Sequence, residues 1–431
     1  MTNELPSVSI VVLNWNGRGH LTACLESLLA LDYPASRLQI VLCDNGSTDG
    51  SVEFVGERFP SVTVVPLDHN YGFAEGNNRA AKVATGEWVG FLNNDMWVEP
   101  SWLKNMVAPL GDMPGLSCVA SRIMNWDGSH IDFIGGGVSF HGHGYQLDDG
   151  ALTSIHDKPR RLLFACGGAM LIRRDLFLEI GGFDPGFFAF FEDVDLGWRL
   201  NILGHDVWYT PEATAYHRHH ASANRIEPHQ ITVLFERNAL AMIYKCFDDD
   251  NLAAALPAAL LLVNERGLEL AELDSRLFEI PGDVPPAGDN APQWEEGDSL
   301  RAPVPSLLAR GQRVLRERGL LVAFGKSLRQ PIKLIVAGYG RLVALLPPRH
   351  MVVSAPALGY FVGISRFAGQ LDSLNQKRAY IQGHRKRSDS EILPLLVDPF
   401  YPIYPDPHFR RFSRWLFRVQ GLDRRFGAPP D

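Results

Sequence analysis

The chain is 431 residues long with a net charge of -8 and five cysteines, a length that fits two or three domains of roughly 150 residues, or one large catalytic domain with an extension. Its composition, 46% apolar and 21% charged, is that of a globular protein and excludes wholesale disorder. Cys24, Cys43, Cys118, Cys166 and Cys246 form no CxxC pair and are odd in number, which argues against a disulfide framework or structural zinc site and for a reducing compartment.

The opening MTNELPSVSIVVLN lacks a basic leader and meets polar Asn14 after a short apolar run, so no signal peptide is expected. The first 125 residues then alternate apolar β-type runs with helical ones. VSIVVLN precedes a helix with Leu21, Leu25, Leu28 and Leu29 at helical spacing; LQIVLC, a helix, VTVVP, a helix and WVGFLN follow. This rhythm predicts an α/β fold, a mainly parallel sheet with helices on both faces. In such sheets the ligand crevice lies beyond the carboxyl ends of the strands. There the chain places Asn14 to Gly17, Asp44 to Asp49, Asp68 to Gly72, and Asn93, Asn94 and Asp95. One such loop is ordinary turn and cap chemistry, whereas four in succession read as a polar binding crevice. No GxGxxG or GxxxxGK[ST] pattern follows any of these strands, which disfavours nicotinamide and P-loop chemistry.

The blocks VSIVVLNWNG (8–17), VLCDNGSTDGS (41–51), NYGFAEGNNRA (70–80), FLNNDMWVEP (91–100), GGFDPGFFAFFEDVDLGWR (181–199) and TAYH ending at His217 together resemble the family 2 glycosyltransferases. These are inverting enzymes of the GT-A fold, and the resemblance is to the branch with bacterial rhamnosyltransferases and galactofuranosyltransferases. It covers about residues 7–246. It implies a nucleotide-sugar site in which Asp44 accepts from the N3–H of uracil or thymine, with Asn16 beside it. Asn70, Gly72 and Asn78 close over the nucleotide, and Asn94 belongs to the same set. As residues alone, Asn70 and Asn78 read equally as a turn and a helix surface. The family's DxD is here Asn93, Asn94 and Asp95, so the implied ligands of a divalent cation, manganese or magnesium, are Asp95 and His217. His219 and His220 read as a solvated loop or phosphate contacts, because alternate residues of an extended segment point opposite ways.

The resemblance also implies that Asp193 is the catalytic base and that Glu192 orients an acceptor hydroxyl. Asp195, with Arg199, contacts substrate or forms structural hydrogen bonds. Gly167 and Gly168 allow close backbone approach near the acceptor, or pack as strand. Trp126, His141, His143 and Trp198 line the acceptor pocket or pack in the core. Of these, Glu192, Asp195, Gly168 and Trp198 are the substrate-binding candidates. The implied reaction is single-step, inverting transfer of a hexose, rhamnose first, from a UDP- or dTDP-sugar to a hydroxyl of a polysaccharide or glycolipid. The alternative is a sugar-nucleotide- or glycan-binding regulator without catalysis, suggested by Asn93 where aspartate is usual.

The catalytic domain is expected over 1–250, a helix and proline-rich linker over 251–306, and a basic helical region over 307–431. Residues 1–300 hold 19 Lys and Arg against 41 Asp and Glu, and 301–431 hold 22 against 8, a basic end suited to a polyanionic surface. Near the terminus Phe409, Phe412, Leu416 and Val419 recur at helical intervals beside Trp415, with Arg410, Arg411, Arg414 and Arg418 on the remaining surface. Such a helix lies in a phospholipid interface or docks on the catalytic domain. No nucleic-acid module accompanies the charge, so that partner is not expected. The apolar stretches 252–263, 332–346 and 351–364 fall short of the roughly 20 residues of a spanning helix. The expected location is therefore cytoplasmic, peripheral on the inner face of the membrane.

Overall fold

A computed structural model describes residues 4–271 and 353–427, apart from 112, 114, 148, 152–157, 219–225 and 405. His219, His220 and the proline-rich segment 281–305 lie outside the described residues. All described residues except Val353 belong to one compact unit, formed by 1–272 together with 354–431.

The β-branched and aliphatic runs form β1 (Val8–Asn14), β2 (Leu38–Asp44), β3 (Thr63–Pro66) and β4 (Trp88–Asn93), all parallel and in the order β4-β1-β2-β3. Between them lie α1 (Arg18–Leu29), α2 (Ser51–Arg58) and α3 (Gly72–Val83). Successive β1 side chains point to opposite faces. Ile10 and Val12 join Leu21, Leu25 and Val55 in one core, and Val11 joins Ala74, Ala80 and Phe91 in another. Burial on both faces explains why these strands read as unbroken apolar runs rather than alternating ones. Leu29, expected on the buried stripe of α1, is instead exposed at the helix end. β3 is the sheet edge, and Pro66 ends it where a missing N–H does no harm.

The sheet continues through β5 (Met96–Val98), β6 (Leu116–Asn125), β7 (Ile131–Phe133), β10 (Arg160–Leu162), β11 (Ala169–Arg173) and β12 (Asp206–His217), with β8 (Gly136–Val138) and β9 (Gly144–Gln146) as a separate hairpin. Its full order is β10-β12-β6-β11-β4-β1-β2-β3, with β11 antiparallel to both β4 and β6, and β12 parallel to β6. Helices α4 (Trp102–Val107), α5 (Arg174–Glu179) and α6 (Glu192–Ile202) complete this part.

Helices α7 (Pro228–Cys246), α8 (Asp249–Ala271), α9 (Ala355–Ala368), α10 (Leu371–Gly383), α11 (Asp389–Ile392), α12 (Pro407–Val419) and α13 (Leu422–Phe426) follow. The apolar face of α12 docks on the unit: Phe409, Leu416 and Phe417 are buried, and the Phe417 ring lies 4.9 Å from that of Phe140. The buried stripe takes Phe417 in place of the expected Val419, which is exposed, and Arg410, Arg411, Arg414 and Arg418 face outward. Among the described residues no helix is long and apolar enough to cross a membrane.

Candidate active site

In the strand order β4-β1-β2-β3 the chain turns back between β1 and β4, the switch point at which open α/β sheets bind ligands. Asn14, fully buried at the end of β1, donates to Asp44 Oδ2 (3.0 Å) and accepts from Asn94 Nδ2 (2.7 Å). One amide thus ties together the tips of three strands. The other Asp44 oxygen accepts from the Ser47 N–H at 2.8 Å, and Asn16 Oδ1 accepts from the Thr48 N–H at 2.7 Å. Asp44 and Asn16 stand behind the wall of the main cavity rather than on it. The residue on the wall is Asn45, whose amide donates to Asn70 Oδ1 (2.9 Å) and the Gly72 carbonyl (3.1 Å).

That cavity encloses about 1160 Å³ and is lined by Asn70, Gly72, Asn94, Asp95, Gly168, Glu192, Asp193 and His217 among others. Strand register explains how Asp95 and His217, distant in sequence, meet: β5 pairs with β12 so that Met96 lies opposite His217. His217 Nε2 is 3.4 Å from Asp95 Oδ1, and its Nδ1 is 2.6 Å from Asp132 Oδ2 on β7. Burial disfavours the imidazolium, but the carboxylates of Asp132 and Asp95 outweigh it and push the His217 pKa up to about 9. Burial likewise works against the Asp95 carboxylate, and His217 overcomes it and holds the pKa below the usual value. A carboxylate that fixes one imidazole nitrogen while the other points at a second acid is how proteins orient a metal-binding histidine. Among the described residues no cluster of three or more His, Cys, Asp or Glu stands ready for a metal. A cation at this point would meet one carboxylate and one imidazole, those of Asp95 and His217.

Across the cavity, Asp193 opens α6. Its Oδ2 accepts from the Gly167 N–H (2.9 Å) and its Oδ1 from the Val194 N–H (2.8 Å). Glu192 beside it is buried, with Oε2 unpartnered among the described residues. Burial, then the neighbouring Asp193 charge, drives the Glu192 pKa well above its usual value. Burial raises Asp193 too, but the two N–H groups favour its ionised form. Both carboxyls are thus raised, Glu192 far more than Asp193, whose backbone donors offset part of the effect of burial.

The preceding aromatic loop is strained. Phe188, Phe190 and Phe191 have φ of 64°, 70° and 65°, each costing on the order of 1–3 kcal/mol unless its surroundings enforce it. Asn238 of α7, fully buried, enforces it: its amide donates to the carbonyls of Phe187 (3.2 Å), Ala189 (2.9 Å) and Phe190 (2.8 Å). The Phe188 carbonyl in turn accepts from the N–H groups of Phe73 and Ala74. Gly72 makes this contact possible, since at its φ of 81° a Cβ would come within 2.5 Å of the Phe188 carbonyl. Gly168 similarly lets the backbone approach Asn93, whose amide would lie 2.8 Å from a Cβ.

Three expected contacts are corrected. Asn78 spends both ends of its amide on the backbone of Phe183 (2.8 and 2.9 Å), clamping α3 to the segment before the aromatic loop. Asp195 is wholly buried, held by Arg199 Nε (2.8 Å) and paired with Lys245 (2.7 Å), away from the cavity. Trp198 is a core residue, packed edge-on to Phe247 with ring centroids 4.9 Å apart. Asp195 and Trp198 lie beyond the first residues of α6, and the helix is buried along nearly its whole length. Conversely, no motif points to Asp132 or Asn238, and Asn45 enters only as part of the loop after β2. The available signals were a carboxylate inside the apolar strand IDF and an amide inside the apolar helical run NALAMI, since polar groups in such places need partners.

A family model described as Glycosyl transferase family 2 matches residues 9–181. Over that segment the chain is similar to that family. It has the GT-A architecture, a mixed, mostly parallel sheet with helices, followed by a helical C-terminal region. It is 33% identical over 230 residues to the O-antigen biosynthesis protein RfbC of Myxococcus xanthus, spanning 51% of this chain but only 18% of that protein. It is 28% identical over 249 residues to the N-acetylglucosaminyl-diphospho-decaprenol L-rhamnosyltransferase of Mycobacterium tuberculosis, spanning 52% of this chain and 79% of that one. Among solved structures, GalNAc-T7 with UDP, GalNAc and Mn2+ aligns at 17% identity and a TM-score of 0.49, over 64% of this chain and 54% of that one.

Proposed function

We propose that this protein is a glycosyltransferase that moves a hexose, rhamnose first among candidates, from a UDP- or dTDP-linked donor to a hydroxyl of a growing polysaccharide or glycolipid, inverting the anomeric centre. The observation that carries the reading is that Asp95, with its histidine, and Asp193 line one cavity. The rhamnosyltransferase relative supports the sugar.

In this reading Asn45, Asn70 and Gly72 form the nucleotide side of the cavity, and Asp44 and Asn16, expected to contact the nucleotide, hold the strand tips and loop behind it. Asp95 and His217, oriented by Asp132, would hold a magnesium or manganese ion, and that ion would supply positive charge to offset charge developing on a leaving diphosphate. Asp193 removes the proton of the acceptor hydroxyl as that oxygen attacks the anomeric carbon, Gly167 N–H and Asn238 keep the base in place, and protonated Glu192 donates to a sugar hydroxyl. The outward arginines of α12 suit peripheral attachment to an anionic membrane on the cytoplasmic side.

Donor hydrolysis tests the proposal. Incubated with dTDP-rhamnose and a series of UDP-hexoses, the protein is expected to release nucleoside diphosphate with manganese and to stop on chelation. With acceptor present, nuclear magnetic resonance of the product should show the inverted anomer. Binding of these donors without release under any condition would favour the non-catalytic regulator.

A further inference from the structure

The turn of the β8–β9 hairpin is buried at Ser139, Phe140, His141 and His143, although connections between strands ordinarily run over the surface. This one is pressed on α7, where Gly142, at a φ of 90°, comes so close that a Cβ would lie 2.4 Å from the Ala239 carbonyl. His143 Nε2 lies 3.1 Å from Glu236 Oε2 of α7, and the other Glu236 oxygen accepts from Tyr404 Oη at 2.8 Å. Glu236 is buried, and a carboxylate in such a place needs partners of this kind.

Residues 398–404 hold the hairpin further. Tyr145 Oη donates to the Asp398 carbonyl (2.9 Å) and accepts from the Asp398 N–H (2.8 Å), and its ring stacks on that of Tyr401 with centroids 3.9 Å apart. The Phe140 N–H donates to the Pro399 carbonyl at 2.9 Å, and the Phe140 ring packs against Phe400. The same hairpin meets the loop that leads to Asp193. A Cβ on Gly144 would lie 3.3 Å from the Phe191 ring and 3.2 Å from the Val194 side chain, and the His143 ring stands 5.9 Å from that of Phe191. Phe191, with its backbone at a φ of 65°, is the residue on which α6 begins, and Glu192 and Asp193 follow it. A strained residue persists only where its surroundings over-determine it. Asn238 fixes the backbone of this loop, and the hairpin holds the Phe191 ring.

We infer that residues 398–404, far beyond the segment 9–181 that the family model matches, belong to the catalytic unit, and that Tyr404 is a positioning residue for Asp193, acting through Glu236, His143 and Phe191. The inference rests on the transferase reading and names what holds its base in place.

The test compares the full chain with Tyr404→Phe, Glu236→Ala and Glu236→Gln by amide hydrogen exchange, read peptide by peptide. In Tyr404→Phe and Glu236→Ala the amides of residues 187–195 should exchange at least about tenfold faster, the scale of one lost hydrogen bond to a charged group, while those of β1 and β2 keep the wild-type rate. Glu236→Gln, which still accepts from Tyr404 and reaches His143, should restore most of the protection lost in Glu236→Ala, which separates loss of the link from loss of fold. Hydrolysis of dTDP-rhamnose and UDP-hexoses with manganese gives a second readout. There Tyr404→Phe should lower kcat by about tenfold or more, as for a slightly displaced reacting group, with donor KM within about twofold of wild type. Unchanged exchange over 187–195 in both disruptive variants, faster exchange spread evenly over the chain, or an unchanged kcat beside a loosened loop would overturn the assignment. A wild-type protein that hydrolyses no donor defeats the transferase reading instead, and the exchange result still decides whether residues 398–404 hold the loop.

Discussion

Replacing Asp193 with asparagine is expected to lower kcat by ~10²–10⁴-fold, the range of a lost general base, while nucleotide and cation still bind. Both carboxylate oxygens already accept backbone hydrogen bonds, from Gly167 and Val194. An asparagine amide would turn its NH2 toward one of these donors, so a modest loss of stability of about 1–3 kcal/mol accompanies the substitution. Thermal melting measured beside the kinetics separates the two effects, because a base deletion removes turnover at temperatures where the variant is fully folded. The wild-type pH profile carries the same signature. The base must be ionised to act, and burial raises its pKa, so kcat/KM should fall as pH drops through a value above the usual aspartate range. Equal turnover in the asparagine variant would remove Asp193 from the reaction.

The largest stability effect is expected away from the cavity, in the ionic cluster under α6. Lys245 is fully buried, with Asp184 Oδ2 at 2.5 Å and Asp195 Oδ1 at 2.7 Å, the latter an ion pair out of line for a hydrogen bond. Lys377 reaches the other Asp184 oxygen at 2.5 Å. Truncating Asp195 to alanine leaves Lys245 and Arg199 short of a counter-charge in the interior and should cost about 3–5 kcal/mol, read as a lower denaturation midpoint at unchanged slope. The cluster also sets the acid response. Burial opposes ionisation of Asp184, but the charges of Lys245 and Lys377 prevail and hold its pKa well below the usual carboxylate value. A folded pKa below the unfolded one, about 3.9, means stabilisation that is complete above that value and drains away as pH falls toward the folded value. Denaturation followed from about pH 5 down to about pH 2 should show this slope in the wild-type protein, and Asp184→Asn should flatten it while lowering stability at neutral pH.

Much of the nucleotide half was legible in the sequence because parallel strands buried on both faces must be continuous apolar runs. VSIVVLN and WVGFLN are β1 and β4 residue for residue. The acids after them were legible as a crevice because strand tips in such sheets converge. What escaped depends on partners far apart in the chain. Asp132 gains its role from His217, 85 residues later, and Asn78 loses its expected one to Phe183, 105 residues later. Asp195 and Trp198, each open between a substrate contact and a structural role, take the structural one, because nearness to Asp193 in sequence says nothing of which way a helical residue faces. Tyr404 meets Glu236 across 168 residues of chain, and no local pattern announces the contact.

The most direct test of the central claim, that the strand tips seat a diphosphate and its cation opposite Asp193, is a manganese titration followed by electron paramagnetic resonance. One ion should bind weakly to the protein alone and at least about tenfold more tightly with UDP or dTDP present, as expected when the protein supplies two ligands and the nucleotide the rest. Asp95→Asn should abolish that gain. A nucleotide-enhanced manganese site of full strength in the Asp95 variant would contradict it.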